Sequence, residues 1–472
     1  MSLTTLALTA ELPELDESLS WSQLEAWAVA MREELPAAAL AAALEELQDK
    51  LIDRVCGPKW LPVRDLPAPF GCPGCGVMSD FARKGKRTRP RRFDTAAGIV
   101  RLQLANVGCR TCGRVFAPLL LMLDLSGRRR TDRLMLELAE LATQMSFARA
   151  GATAASFGVP GSAGRAHAAV ADLAPLLDGI GCADSSQAPG RADVVVLDGT
   201  GMRAGRRRLG VNCNIALGVT ARTGPRRRRQ ATTTLLGLTL DQPWAAMTTQ
   251  LRDLDPPAVV VVDGELAITK LAENVWPDVP IQRCWWHLPR ALRWALYADK
   301  APHPWANAQR AELTTLLHRV ARERLTHSQA LSAYDAFTAT VTAEGHHAAG
   351  ELLTGARDQV FTCLRPDVRR RLAHLGGPEL GSGVLERVMR ELNARTDIGG
   401  SRWSTEGLRD LITIKLARMT NHPAWTTLRQ AVSPPNAIAF KMRPRSSTLP
   451  DATERSATTR SPPWPTVAVH IG

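Results

Sequence analysis

This 472-residue chain has no apolar run long enough to cross a bilayer, which argues against a membrane-spanning helix. Its first 18 residues, Met1 to Ser18, lack a basic stretch and carry several acids, so a secretory leader is not expected and the protein is expected in the cytoplasm. Acidic residues fall short of basic ones, 46 against 59, and the formal net charge of +13 with a pI near 9.8 favours a polyanionic partner. Nine cysteines in so long a cytoplasmic chain point to metal ligation or burial rather than a disulfide framework. What is plentiful is arginine, clustered at Arg128-Arg129-Arg130, Arg206-Arg207-Arg208 and Arg226 through Arg229. Arginine suits bidentate phosphate contacts better than lysine does, although such clusters also occur as solvated loops.

The length corresponds to roughly three domains, and the pattern along the chain divides it further. Residues 20–56 are helical and amphipathic, giving an N-terminal helical segment over 1–60, and Pro58, Pro62, Pro67 and Pro69 then break the chain. A cysteine-bearing segment covers 68–120. Within 125–180 the pattern turns helical again, with Leu134, Leu138, Leu141 and Met145 on one face. Short helices joined by glycine-containing turns fit a helix-turn-helix and equally a plain helical linker.

Two C-x-x-C-G units, Cys72-Pro73-Gly74-Cys75-Gly76 and Cys109-Arg110-Thr111-Cys112-Gly113, stand at either end of the cysteine segment. Thiolates at this spacing grip one Zn²⁺ from a tight turn, and two pairs complete a closed tetrahedral site that is structural rather than catalytic. The residues between are basic, including Arg87, Arg89, Arg91 and Arg92, and contain strand-like Ile99 to Leu104. The expectation is a zinc ribbon with a basic β-hairpin, whose arginines, with Arg128, Arg129 and Arg130, would meet DNA phosphates.

From Asp193 the order becomes β-β-β-α-β-α-β-α: strands at Val194–Leu197, Leu209–Val219 and Thr232–Leu240, a helix at Trp244–Leu254, then the strand Val259–Val262. A short helix at Ile268–Asn274, a strand at Ile281–Cys284 and a helix at Trp285–Ala298 follow. That succession matches an RNase H-like fold. The core occupies 190–300 and 376–425 and is interrupted by a helical insertion at 301–375. A basic tail rich in Pro, Ser and Thr, expected to be disordered, follows over 426–472. The predicted class is therefore multidomain α+β: an RNase H-like α/β core with a helical insertion, preceded by a zinc ribbon and a helical, helix-turn-helix-like DNA-binding region.

Two apolar strands end on acids, Val194-Val195-Val196-Leu197-Asp198-Gly199 and Val259-Val260-Val261-Val262-Asp263-Gly264. A carboxylate at the end of a buried strand is costly to desolvate unless something uses it, and ligands gather at the carboxyl ends of strands in such sheets. Asp-Gly is also a common turn dipeptide. Two-metal phosphoryl chemistry needs about three carboxylates around hard Mg²⁺ or Mn²⁺ ions. Glu386, placed early in a helix by Gly381-Ser382-Gly383, is the third candidate. Glu391 is the nearest rival, and Asp193 and Glu265 are weaker ones.

Here a resemblance becomes specific. Leu197-Asp198-Gly199-Thr200, Val262-Asp263-Gly264-Glu265, Gln282-Arg283-Cys284-Trp285-Trp286-His287, Gly381 through Glu386, and Gly400-Ser401-Arg402-Trp403-Ser404 together resemble bacterial insertion-sequence transposases of the Mutator-type DDE superfamily, over about residues 70–425. The resemblance implies a triad of Asp198, Asp263 and Glu386 holding two Mg²⁺ or Mn²⁺ ions, and Cys284 with His287 as an accessory C-x-x-H pair. It further implies double-stranded DNA as substrate, at transposon ends and target, a dimer or larger assembly, and a nucleoid-associated place in a bacterial cytoplasm. A non-catalytic DNA-binding regulator and a structure-specific nuclease of the same fold are the alternatives. Trp285, Trp286, Trp294 and Trp403 are open between core packing and base stacking.

Overall fold

The computed structural model describes residues 21–63, 66–177, 192–204, 210–220, 232–375, 383–399 and 401–432. The arginine clusters at 206–208 and 226–229, the Gly381-Ser382 turn and the tail beyond 432 lie outside the described residues. The chain is mixed α+β and divides into two compact units, 21–169 with 429–432, and 170–428. No helix among the described residues is long and apolar enough to cross a membrane.

The first unit is organised by one long helix, α1 (Trp21–Cys56). It is followed by β1 (Phe81–Lys86), β2 (Arg91–Thr95), β3 (Gly98–Leu102), β4 (Ala105–Cys109) and β5 (Val115–Phe116). Strands β1, β4 and β5 form one antiparallel sheet in the order β1-β4-β5, and β2 with β3 forms a separate hairpin. Ala37, Leu40, Ala41 and Leu44, spaced for one helix face, pack against the hairpin core of Phe93, Val100 and Leu102. Farther along α1, Leu51, Ile52 and Val55 cover Phe81, Val107 and Phe116 of the sheet. Gln48 sits between these patches, fully buried. Its Nε2 donates to the Gln103 carbonyl at 3.0 Å and its Oε1 accepts from the Ala105 N–H at 2.8 Å, so the chain crossing from hairpin to sheet keeps its backbone groups paired.

After α2 (Pro118–Met122) come three short helices, α3 (Asp132–Ala142), α4 (Phe147–Ala155) and α5 (Ala163–Leu173). Thr131 and Ser146 cap α3 and α4 through their side-chain oxygens. Gly151 faces the backbone of Ser162 so closely that an added Cβ would lie 2.3 Å from its carbonyl carbon.

The second unit centres on a five-stranded sheet of β6 (Val194–Met202), β7 (Val211–Thr220), β8 (Thr232–Leu240), β9 (Val259–Val262) and β10 (Ile281–Arg283), in the order β10-β9-β6-β7-β8. Strands β6, β7 and β8 are antiparallel; β9 is parallel to β6, and β10 to β9. The valines of β9 are completely buried, as a strand covered on both faces requires. Two local expectations change. Residues 244–254 hold only a 3₁₀ turn at Trp244–Met247 and the single-turn α6 (Thr248–Leu251). Strand β6 does not end at Asp198 but continues to Met202, paired with β7, so Asp198-Gly199 is not a turn.

Helix α7 (Leu266–Val275) packs its Ile268, Leu271 and Ala272 on the sheet. Helix α8 (His287–Ala298) instead turns Leu288, Leu292 and Leu296 into a helical body made with α9 (His303–Arg322), α10 (His327–Ala343) and α11 (His347–Val360). The returning chain is locked to β10: buried Gln282 donates to the Val360 carbonyl at 2.8 Å and accepts from the Cys363 N–H at 2.9 Å. After α12 (Pro366–Arg371), α13 (Gly383–Thr396) packs beside β6, and α14 (Thr405–Met419) follows. Helix α15 (Pro423–Val432) occupies the start of the segment expected to be tail.

Candidate metal centres

Among the described residues, two groups of side chains converge closely enough to hold a metal ion: Cys72, Cys75, Cys109 and Cys112 in the first unit, and Asp198, His287 and Glu386 in the second.

The cysteines lie on two tight turns, one before β1 and one between β4 and β5. In each, the glycine after the second cysteine takes a left-handed φ of +74° and donates its N–H to the carbonyl of the first, Gly76 to Cys72 at 2.8 Å and Gly113 to Cys109 at 2.9 Å. The Cys72–Cys112 and Cys75–Cys109 sulfurs are each 3.6 Å apart. Zn–S bonds of about 2.3 Å in a tetrahedron put sulfurs about 3.8 Å apart, so the spacing fits a structural ion such as zinc. Burial works against ionisation of Cys72, but the backbone N–H groups of Cys75 and Gly74 and the neighbouring thiols outweigh it and bring its thiol down to about 6.

The carboxylate site is built by the register of the parallel strands. Leu197 pairs with Val262, so the next residues, Asp198 within β6 and Asp263 just past the end of β9, follow from one level of the sheet. Asp198 is only 4% exposed. Burial first, then the charges of Asp263 and Glu386, push its carboxyl up to about 6, although His287 and the Gly199 N–H oppose the rise. Glu386 enters from the first turn of α13, where the helix dipole favours an acid. Asn393, two turns farther along that helix, donates to Thr200 Oγ1 at 3.3 Å and holds α13 against β6.

His287 bridges the carboxylates. Its Nε2 is 3.0 Å from Glu386 Oε1 and 3.8 Å from Asp198 Oδ2. Burial alone would lower its pKa, but the Cys284 sulfur and the two carboxylates raise it to about 9. Cys284 is fully buried behind it and donates its backbone N–H to the Val262 carbonyl at 2.8 Å. The accessory pair thus divides: the histidine joins the site, and the cysteine backs it. Asp263 stands outside the tight group; its Oδ1 accepts the Glu265 N–H at 2.7 Å, forming the turn that opens α7. Gly264, at φ +97°, lies directly against the buried Arg283 guanidinium, whose Nη1 is 0.7 Å from where a Cβ would stand.

The rivals separate by geometry. Glu391 points to Lys415 at 3.9 Å, Asp193 pairs with His374 at 2.9 Å at the opposite end of β6, and Glu265 is exposed ahead of α7. A cavity of about 540 Å³ opens on the site, lined by Asp198, His287, Glu386, Asn393 and two arginines, Arg290 and Arg390. Neither arginine was singled out from the sequence, although Arg290 stands one helical turn beyond His287. No family model matches the chain, and no curated protein matches it.

The arginines expected on DNA behave unequally. Arg87, Arg89 and Arg129 are exposed, with no ion pair to a described residue. Arg91 instead donates to the Leu125 and Arg128 carbonyls, at 3.2 and 2.8 Å, and lies over the Phe93 ring. Arg92 binds Asp94, a buried acid also held by Arg165, and Arg128 pairs with Asp124 and Asp132. Arg130 reaches the Met135 sulfur at 3.8 Å. Trp403 is buried, donates to the Thr396 carbonyl at 3.0 Å and lies under Arg395, which gives it a packing role. Trp285 packs against Phe361 in the helical body.

Proposed function

We propose that this chain is a metal-dependent phosphoryl-transfer enzyme acting on DNA, a transposase of the DDE type with an RNase H-like core and an amino-terminal zinc ribbon. The observation that carries the reading is the convergence of Asp198 and Glu386, 188 positions apart, on one polar cavity, with Asp263, just past the end of the adjoining strand β9, near enough for its charge to act on Asp198. The strand order β10-β9-β6-β7-β8, with three antiparallel strands followed by two parallel additions, supports the RNase H-like assignment. The four cysteine sulfurs support the ribbon.

The donor set suits a hard cation: two carboxylates within bridging range, one of them poorly hydrated. Asp198 and Glu386 would hold Mg²⁺ or Mn²⁺, with Asp263 offering the oxygen that the Glu265 N–H leaves open. Such ions, when bound, polarise phosphate oxygens and lower the pKa of a bound water. The protein's own groups do the rest. Arg290 and Arg390 bring positive charge to the cavity that must receive the phosphodiester. Asn393 fixes α13, and therefore Glu386, against the strand that carries Asp198. His287 stands between the two carboxylates, its Nε2 within hydrogen-bond distance of Glu386. Water would open the phosphodiester at the element's end, and the freed 3′-hydroxyl would attack the target strand in line.

The test is transfer of a labelled, pre-cleaved element-end duplex into plasmid DNA, using ends taken from the DNA flanking the gene. The expected result is joining that needs Mg²⁺ or Mn²⁺ and is lost in Asp263→Ala and Asp198→Asn. Cleavage without joining would make the chain a nuclease. Tight end binding without chemistry in the wild type would make it a regulator.

A further inference from the structure

Helix α8 starts at the carboxylate site and carries an unusual outer face. Its inner positions, Leu288, Leu292 and Leu296, are fully buried. At about 100° per residue, Trp286, Arg290, Arg293, Trp294 and Tyr297 fall within one stripe about 100° wide on the other side. Two of these are large aromatics left in water, Trp286 at 67% and Trp294 at 56% exposure. The Arg293 guanidinium lies 5.3 Å from the Trp294 ring centre and 5.9 Å from that of Tyr297. The helix, His-Leu-Pro-Arg-Ala-Leu-Arg-Trp-Ala-Leu-Tyr-Ala, contains no acid. At its beginning, Arg290 lines the same cavity as Asp198, His287 and Glu386.

We propose that this stripe is a stacking platform for an unpaired DNA strand leaving the catalytic cavity, with Trp286 and Trp294 taking bases and Arg290 and Arg293 taking the intervening phosphates. Three observations select that occupant. The stripe is cationic, so it suits a polyanion. Two arginines, Arg290 and Arg293, stand between the exposed rings of Trp286 and Trp294, so that phosphates linking two stacked bases would meet positive charge, whereas bases inside a duplex offer no free face. It is continuous with the site where a phosphodiester would be opened. The eight steps from Trp286 to Trp294 rise about 12 Å, about the length of three stacked nucleotides. The inference rests on the DNA-processing reading above and extends it: the substrate would be an end with frayed or unpaired nucleotides next to the scissile bond.

The test compares two fluorescent probes at fixed salt, a blunt duplex and the same duplex with a three-nucleotide single-stranded extension carrying 2-aminopurine. The full-length protein should bind the extended probe more tightly and quench the 2-aminopurine. Trp286→Ala and Trp294→Ala should each lose about 5- to 100-fold on the extended probe and abolish quenching, with blunt-duplex binding unchanged within about twofold. Trp286→Phe should retain most of the preference. Both tryptophans are exposed, so the alanine variants should melt as the wild type does. Equal binding of the two probes by the wild type, or equal losses on both probes in the variants, would overturn the platform. If the wild type bound neither probe, the DNA reading itself would fall. If it joined ends normally and the variants kept full extension preference, only the platform would fall.

Discussion

Gly264→Ala is a sharp test of how the second unit holds its aspartates. Two costs add at this position. The backbone φ of +97° is one that residues with a Cβ rarely adopt, at about 1–3 kcal/mol. The new methyl would also fall on the Arg283 guanidinium, 0.7 Å from Nη1 and 1.4 Å from Cζ. A surface arginine would swing aside, but Arg283 is only 8% exposed, so overpacking adds about 1–3 kcal/mol. The sum is about 2–6 kcal/mol, which for a unit of this size lowers Tm by roughly 4–24 °C. Because the displaced group stands beside Asp263, metal-dependent joining should fall further than the stability loss explains. The assay is calorimetric melting of Gly264→Ala, Arg283→Ala and the double variant. If the clash is real, removing the guanidinium makes room for the methyl, and the double variant should recover about 1–3 kcal/mol relative to additivity. Additive losses, or a Gly264→Ala variant within about 0.5 kcal/mol of wild type, would refute the reasoning.

Other expectations are as direct. Purified protein should carry close to one zinc per chain by elemental analysis, and Cys109→Ser should lose it together with the folded β1-β4-β5 sheet, because such a site and its fold form together. Glu386→Gln should reduce joining by roughly a thousandfold, while Glu391→Gln, whose carboxylate faces Lys415, should stay within about twofold; a reversed order would reassign the third carboxylate. Arg91→Gln, which strips donors from two carbonyls, should destabilise the first unit by about 1–3 kcal/mol in a denaturant melt. Arg89→Gln should leave stability alone and lower the salt slope of DNA binding by about one, as titrations at several salt concentrations would show.

Much of the molecule was legible in the chain itself. The paired C-x-x-C-G units, the valine runs and the alternation of strands and helices are local patterns, set by residue type and spacing within a few positions. They are enough to pair the four cysteines that the fold brings together, and to separate a helical body from a sheet. Local pattern failed where a contact spans the chain. Asp198-Gly199 has the composition of a turn, yet pairing with β7 carries β6 on to Met202. Arg91 and Arg89 look alike in a basic run, but only folding sets carbonyls of the 125–128 segment in front of Arg91.

The amino-acid sequence by itself determined which groups are on offer: two pairs of closely spaced thiols, and carboxylates that follow apolar runs. Tertiary structure alone decided which of those groups meet. It set His287 between Asp198 and Glu386, turned Glu391 away to Lys415, tied α13 to β6 through Asn393, seated Arg283 against Gly264, and left Trp286 in water while burying Trp403. The physical reason is that side-chain periodicity records only which face of an element is apolar. Which polar groups share a face depends on strand register and helix packing between segments far apart in the chain.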